Sequence, residues 1–358
     1  MPQNTYNEPV QVRKGEALEL EKLSNYLRGK IPDWQGSIDL MQFPSGYSNL
    51  TYMLKAGENE YVLRRPPFGA NIKSAHDMKR EFEMLSLIKN QYTKVPNPVH
   101  YCADESIIGA EFYLMERVNG LILRANPPKD IQLTTELMQS LSESLIDNLV
   151  QLHGIDITKG GLAVKGKPEG YIKRQVEGWI KRYQKSQTEE IKDMAFLDEW
   201  LPDNMPKEGK PALIHNDYKY DNVVFEPNDL PKIAAVLDWE MATIGEPLMD
   251  LGTTLAYWAD QDTHPALKSF SLTVLPGNLN RQQLVERYAD KSGRDVSNMV
   301  FFYTYASYKV AVICQQIYAR YQKGLTKDTR FAGLIHIVKA CAHNAKKAVE
   351  LDRISNFS

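Results

Sequence analysis

The sequence predicts an α+β protein in which a small antiparallel-sheet lobe precedes a larger, mostly helical one. Between residues 35 and 116 the apolar residues alternate over short runs separated by turn formers, the pattern of half-buried strands. After Gly120 they recur at helical spacing, as in the stripe Leu137, Leu141, Leu145, Leu149 and Leu152. The composition, 43% hydrophobic and 25% charged over 358 residues, belongs to a folded chain long enough for one large domain or two ordinary ones. The boundary is expected near Glu116, with an N-terminal lobe over 1–116 and a C-terminal lobe over 117–358.

The elements follow in order. About sixteen polar residues form an arm, and "ALELEKLSNYLRGKI" reads as a helix with Leu20, Leu23 and Leu27 on one face. "SIDLMQF", "LTYMLKA" and "EYVLRRP" read as three antiparallel strands, divided by "PSGYSN" and "AGENE". "SAHDMKREFEMLSLIKN" reads as a helix with Met78, Phe82, Leu85 and either Leu87 or Ile88 inward, and two further strands flank a turn at Ile108 to Ala110. In the second lobe the Leu stripe, "EGYIKRQVEGWIKRYQKS" and "TEEIKDMAFLDEWLPDN" read as helices. "ALIH", "NVVFE" and "IAAVLDW" read as short strands, and the remainder is mostly helical. It includes a Tyr-rich segment with Phe301, Tyr305, Tyr308 and Val312 on one face, preceded by Asp295 as a candidate helix cap.

Charge and cysteine usage narrow the functional classes. The net charge of −2, from 43 basic and 45 acidic residues, provides no electrostatic ground for nucleic acid as a partner. Cys102, Cys314 and Cys341 are odd in number and lack metal-ligand spacing, so free thiols in a reducing compartment are expected. The N-terminus has no apolar core of signal-peptide type, and no run of 18 apolar residues occurs. The expectation is a soluble cytoplasmic protein with no membrane partner, and the oligomeric state is not legible.

The chemistry concentrates in "LIHNDYKYDNVVF", residues 213–225. Phosphoryl transfer needs a carboxylate to orient the attacking hydroxyl and accept its proton, a metal to neutralise phosphate charge, and positive charge near the phosphates. Asp217 and Asn222 stand at the two ends of one short polar loop, and Mg²⁺ prefers oxygen ligands of this kind. Sixteen residues after Asn222, an apolar strand ends in Asp238, with Glu240 as a possible second carboxylate. Taken alone, the loop is also a plain polar turn; the acid at a strand end favours the catalytic reading.

"HNDYKYDN" and "LDWEMATIGEPLMDLG" resemble the catalytic and metal-binding segments of the aminoglycoside phosphotransferase and choline kinase family. The resemblance implies a protein-kinase-like two-lobed fold, ATP as co-substrate, Mg²⁺ as cofactor and a small-molecule hydroxyl as acceptor. It implies Asp217 as catalytic base, Asn222 and Asp238 as metal ligands, and His215 and Asp250 as structural supports of the loop. Lys219 is more like the lysine with which protein kinases neutralise the transferred phosphate. Asn216 departs from the family by standing where Gly is frequent. "QFPSGYSNLTYMLKAGENEYVLRRPP" looks like the nucleotide loop, with Ser45, Gly46, Ser48 and Asn49 as donors to phosphate. Arg64, or its neighbour Arg65, matches the basic strand residue, Glu81 (with Glu83 as fallback) its acidic helix partner, and Glu116 and Val118 the adenine-binding hinge.

Within the family, "GYSNLTYML", "YVLRRPP" and "LVQLHGID" look like the branch of kinase-like domains associated with acyl-CoA dehydrogenases. That likeness suggests a hydroxyacyl-type or other metabolic acceptor. An aminoglycoside kinase and a nucleotide-binding pseudokinase scaffold remain the alternatives. A protein kinase is disfavoured because the Asp238 region lacks a long activation segment. His153 is expected to pack at a helix end, and Trp258 to be either core or pocket wall.

Overall fold

The computed structural model describes residues 8–31, 34, 37–44, 49–69, 77–125, 131–268, 272–326 and 328–357. Two compact units divide the chain. One comprises Met1–Ile122, Thr158–Leu162 and Asn222–Ala242; the other comprises Leu123–Ile157, Ala163–Asp221 and Thr243–Ser358.

The first unit contains α1 (Leu20–Leu27), β1 (Asp39–Gln42), β2 (Leu50–Ala56), β3 (Asn59–Arg65), α2 (Met78–Ile88), β4 (Pro98–Cys102) and β5 (Phe112–Glu116). The strands form an antiparallel sheet in the order β1-β2-β3-β5-β4. Strand alternation explains its two faces. Tyr52, Leu54, Leu63, Phe112 and Leu114 point into one apolar cluster with Leu23 and Leu27 of α1. Arg64, one residue beyond Leu63, belongs to the opposite face. Residues of the polar arm are held on the sheet, since Val10 and Gln42 exchange both backbone hydrogen bonds at 2.8 Å.

Two helical faces differ from the sequence expectation. Leu20 is exposed, and α1 turns Leu23, Ser24 and Leu27 inward, because Leu20 is the first helical residue. In α2 the buried set is Met78, Glu81, Met84, Leu85 and Ile88. Phe82 is half-buried, its ring 6.0 Å from Tyr101 and 6.1 Å from Tyr113. The face is rotated towards Glu81, which is buried in an ion pair with Arg64.

In the second unit, α3 (Thr135–His153), α4 (Tyr171–Ser186) and α5 (Lys192–Asp203) precede β6 (Ala212–Ile214). Next along the chain, β7 (Val223–Glu226) and β8 (Asp229–Val236) form a hairpin that belongs to the first unit. The second unit resumes with β9 (Thr243–Gly245), α6 (Pro247–Ala256), α7 (Pro265–Lys268), α8 (Arg281–Ser292), α9 (Met299–Gln322) and α10 (Leu334–Leu351). β9 pairs antiparallel with β6; three residues are too few for a periodic signal, so the sequence did not announce it. α9 is buried on every face from Phe301 to Val312, enclosed by α4, α5, α6 and α10. One inward face was expected, but a helix apolar all round is a central one. Asp295 does not cap it: Asn298 holds the cap position, and Asp295 accepts instead from Ser297 N–H. No described helix is long and apolar enough to cross a membrane.

Candidate active site

In the second unit the loop after β6 is held by side chains from three helices. Asp250 of α6 accepts from the backbone N–H of His215 at 2.6 Å and of Asn216 at 2.7 Å. It is fully buried, yet its carboxyl is held below the ordinary range: burial works against the charge, and hydrogen bonds from His153 and His215 outweigh it. His153, at the end of α3, donates from Nε2 to Asp250 at 3.1 Å, so its Nδ1 accepts from the Tyr288 hydroxyl at 2.7 Å. Burial keeps this imidazole neutral by lowering its pKa against the pull of Asp250. Gly252 lets α6 approach α9, since a Cβ there would lie 2.5 Å from the Phe302 carbonyl oxygen.

Asn216 has φ of +66°. This left-handed backbone favours Gly and tolerates Asn, which suits Asn to the place where the resemblance makes Gly frequent. Its carbonyl accepts from Lys309 Nζ at 2.9 Å. Lys309 is a buried amine whose pKa burial pushes down to about 8, with Asp217 and Asp250 opposing. Asp217 follows, its N–H donating to His215 Nδ1 at 3.3 Å. Lys219 Nζ lies 2.8 Å from each Asp217 carboxylate oxygen and 4.4 Å above the Tyr257 ring. Burial first, and then the Asp217 charge and hydrogen bond, raise the Tyr257 hydroxyl well above its ordinary value. Lys219, Tyr220 and Asp221 border a largely apolar cavity of about 270 Å³, with Tyr257 and Trp258 in its wall.

The first unit gathers the other candidates around Arg64. Its guanidinium bonds Glu81 through Nη1 and lies 3.0 Å from Asp238 and 3.5 Å from Glu240 through Nη2. Asn49 Nδ2 donates to Glu240 at 2.8 Å. Arg80 of α2 donates to the carbonyl oxygens of Glu240 and Ala242, holding the segment after Asp238. Burial works against the Arg64 charge, but Glu81, Tyr113, Asp238 and Glu240 outweigh it and keep the group charged. Three carboxylates share one guanidinium, and Glu81, the most deeply buried, is pushed up to about 7 by burial, with Arg64 opposing. Asp238 has φ of +66°, a strained conformation for a non-glycine residue. Leu237 N–H donates to the Asn222 carbonyl at 2.8 Å, so the residues before Asp238 and at Asn222 are bound together.

The two adjacent arginines take different partners. Arg65 turns away to donate to the Ile108 carbonyl at 2.9 Å and stacks on Phe68. Glu83 pairs instead with Lys79 at 3.8 Å. Glu116 ends β5, its N–H donating to the Asn97 carbonyl at 2.9 Å. Val118 packs against the cluster of Ile122, Val224 and Ala235. Ser45, Gly46 and Ser48 lie outside the described residues. Sequence reasoning did not give His153, Lys309 or Tyr257 a part in the loop. Only Lys309 carried a signal, as the single cation among the apolar and aromatic residues of "FFYTYASYKVAVIC".

This fold is that of the kinase-like phosphotransferases. Residues 39–275 match the model of the phosphotransferase enzyme family, and the chain belongs to that family. A Ralstonia eutropha structure assigned as an aminoglycoside phosphotransferase is 27% identical, with a TM-score of 0.76 over 92% of this chain and 99% of that one. Choline kinase from Cryptosporidium parvum shares the fold at 14% identity and a TM-score of 0.63, covering 93% of this chain and 97% of its own. Acyl-CoA dehydrogenase family member 11 of Rattus norvegicus is 34% identical over 332 residues, 90% of this chain and 42% of that protein. The chain thus spans less than half the length of this relative.

Proposed function

We propose that the protein is an ATP-dependent kinase that transfers the γ-phosphoryl group to a hydroxyl of a small molecule. The observation that carries this reading is Arg64 bridging Glu81 and Asp238, which joins strand, helix and metal-segment candidates in one cluster. Asn222 and Asp238 offer the hard oxygens that Mg²⁺ takes. These two would hold the ion, which when bound neutralises phosphate charge. Arg64 would grip phosphate oxygens, and Asn49 would donate to them beside Ser45, Gly46 and Ser48. Glu116 would offer its carbonyl and Val118 its N–H to adenine, over the apolar cluster of Ile122, Val224 and Ala235.

Asp217 would orient the acceptor hydroxyl and take its proton as the new oxygen–phosphorus bond forms. The bond from the γ-phosphorus to the bridging oxygen breaks, and ADP departs with that electron pair. Lys219 would neutralise the transferred group. His215 and Asp250 would hold the loop rather than touch substrate. We infer a hydroxyacyl-type acceptor. The apolar cavity beside Lys219 supports it, as does the likeness to a relative named an acyl-CoA dehydrogenase.

The test is incubation with ATP and Mg²⁺ against hydroxyacyl-CoAs, amino alcohols, sugars and aminoglycosides, with products read by mass spectrometry and Asp217→Asn as control. A product made by the wild type alone is expected from the hydroxyacyl set. Product from aminoglycosides only would move the chain to antibiotic acceptors. Mg²⁺-dependent ATP binding without any product would favour a pseudokinase.

A further inference from the structure

Lys309 lies in the middle of α9, among the buried residues Tyr308, Val310, Ala311 and Val312, and is itself only 3% exposed. An ammonium loses its water on burial and recovers that loss only through good partners. An apolar side chain of similar length would hold α9 among its neighbours without that cost. What the amine holds is therefore informative.

Its Nζ donates to the Asn216 carbonyl at 2.9 Å. That carbonyl and the Asp217 N–H belong to one planar peptide group. The N–H donates to His215 Nδ1 at 3.3 Å, so the peptide is held at both of its polar atoms. Asn216 is fixed ahead of it: its N–H donates to Asp250 at 2.7 Å, and its Nδ2 donates to the Tyr171 hydroxyl at 3.2 Å. The Cα of Asp217 ends this plane, so the tilt of the peptide sets where the carboxylate points. Among these holds, Lys309 alone brings an ammonium. The charged groups acting on it are Asp217 and Lys219 of the loop and Asp250 of α6. α4 turns the neutral Trp179 ring towards it at 6.0 Å. None of the acting groups comes from α5, whose Asp198 bonds the neighbouring Tyr308, or from α10.

We propose that Lys309 is a positioning residue for phosphoryl transfer: by gripping the Asn216 carbonyl with a charged amine it fixes the Asn216–Asp217 peptide and so aims the Asp217 carboxylate at the acceptor hydroxyl. This rests on the kinase reading, in which Asp217 is the base. Lys309 acts through the backbone and does not touch substrate. Its charge is also open to titration. Burial pushes the pKa down to about 8, Asp217 and Asp250 oppose, and Lys219 adds to the fall. As pH rises through that value the amine becomes neutral, and the charge-assisted hydrogen bond to Asn216 weakens.

Steady-state ADP formation from ATP–Mg²⁺ by the full chain tests this, with 3-hydroxybutyryl-CoA as acceptor and with water alone. Lys309→Met, of similar length but without donor or charge, should lower kcat at least ~tenfold and leave KM for ATP within about twofold. Lys309→Arg, which restores both, should recover most of that loss. A folded Lys309→Met variant with wild-type kcat, or changed only in KM, overturns the proposal. A folded Lys309→Arg as slow as Lys309→Met overturns the requirement for charge. The pH profile of kcat judges the role even if Lys309→Met fails to fold. The wild-type rate should fall above pH ~8, and Lys309→Arg should hold its rate to higher pH. A flat wild-type profile, or the same alkaline fall in both, overturns the proposal. ADP formation that Asp217→Asn abolishes and Lys309→Met leaves untouched removes this role alone. No ADP with either acceptor overturns the kinase reading, and this role with it.

Discussion

Asp217 and Arg64 have roles that substitutions can separate. Asp217→Asn keeps the size of the side chain and leaves the bonds from the His215 and Asn216 backbone to Asp250 in place, so ATP–Mg²⁺ binding should survive while turnover falls by at least ~10². A variant turning over at the wild-type rate would show that Asp217 is not the base. Arg64→Ala should raise KM for ATP more than KM for the acceptor, measured by steady-state kinetics with each substrate varied; the reverse split would move Arg64 to the acceptor side. In "YVLRR" the sequence points to Arg64, with Arg65 as the adjacent alternative. Strand alternation separates them, since neighbours on a strand point to opposite faces. Arg64 meets Glu81, and Arg65 meets the Ile108 carbonyl.

The elements that hold the catalytic loop make their own predictions. Gly252→Ala places a methyl 2.5 Å from the Phe302 carbonyl, so α6 and α9 must separate. The cost expected is about 1–3 kcal/mol, read by denaturant unfolding, with activity falling because Asp250 rides on α6. The junction of α3 and α6 predicts a pH dependence. The folded pKa of His153 lies below its ordinary value of 6.5, so the unfolded chain binds its proton first on acidification. Its contribution is complete above pH ~6.5 and is lost as pH falls through the folded pKa. Melting temperatures between pH 8 and 5 should fall more steeply for the wild type than for His153→Gln; parallel curves would exclude His153 as the linked group. None of this was written locally. "LVQLHGID" marked a helix end, and the bond to Asp250 spans 97 residues.

Across the whole molecule, ligand binding should appear as stability. ATP with Mg²⁺ at a hundred times its dissociation constant should stabilise the folded chain by about 2.7 kcal/mol and raise its melting temperature. Asp238→Ala should abolish the Mg²⁺-dependent part of that shift, and an unchanged metal titration would remove Asp238 from the site. The family was legible because Asp217, Asn222 and Asp238 stand in order along one stretch, where spacing itself carries information. Strand alternation and the helical stripes were legible for the same reason, since both are short-range periodicities. By itself, then, the sequence determined the α+β class, the phosphotransferase resemblance and the candidate base and metal ligands. Only the tertiary structure decided that Arg64 joins Glu81 and Asp238, that α9 is enclosed on every side, and that Lys309 holds the Asn216 carbonyl. Those facts depend on packing and hydrogen bonds between residues far apart in the chain, which neither propensity nor spacing encodes.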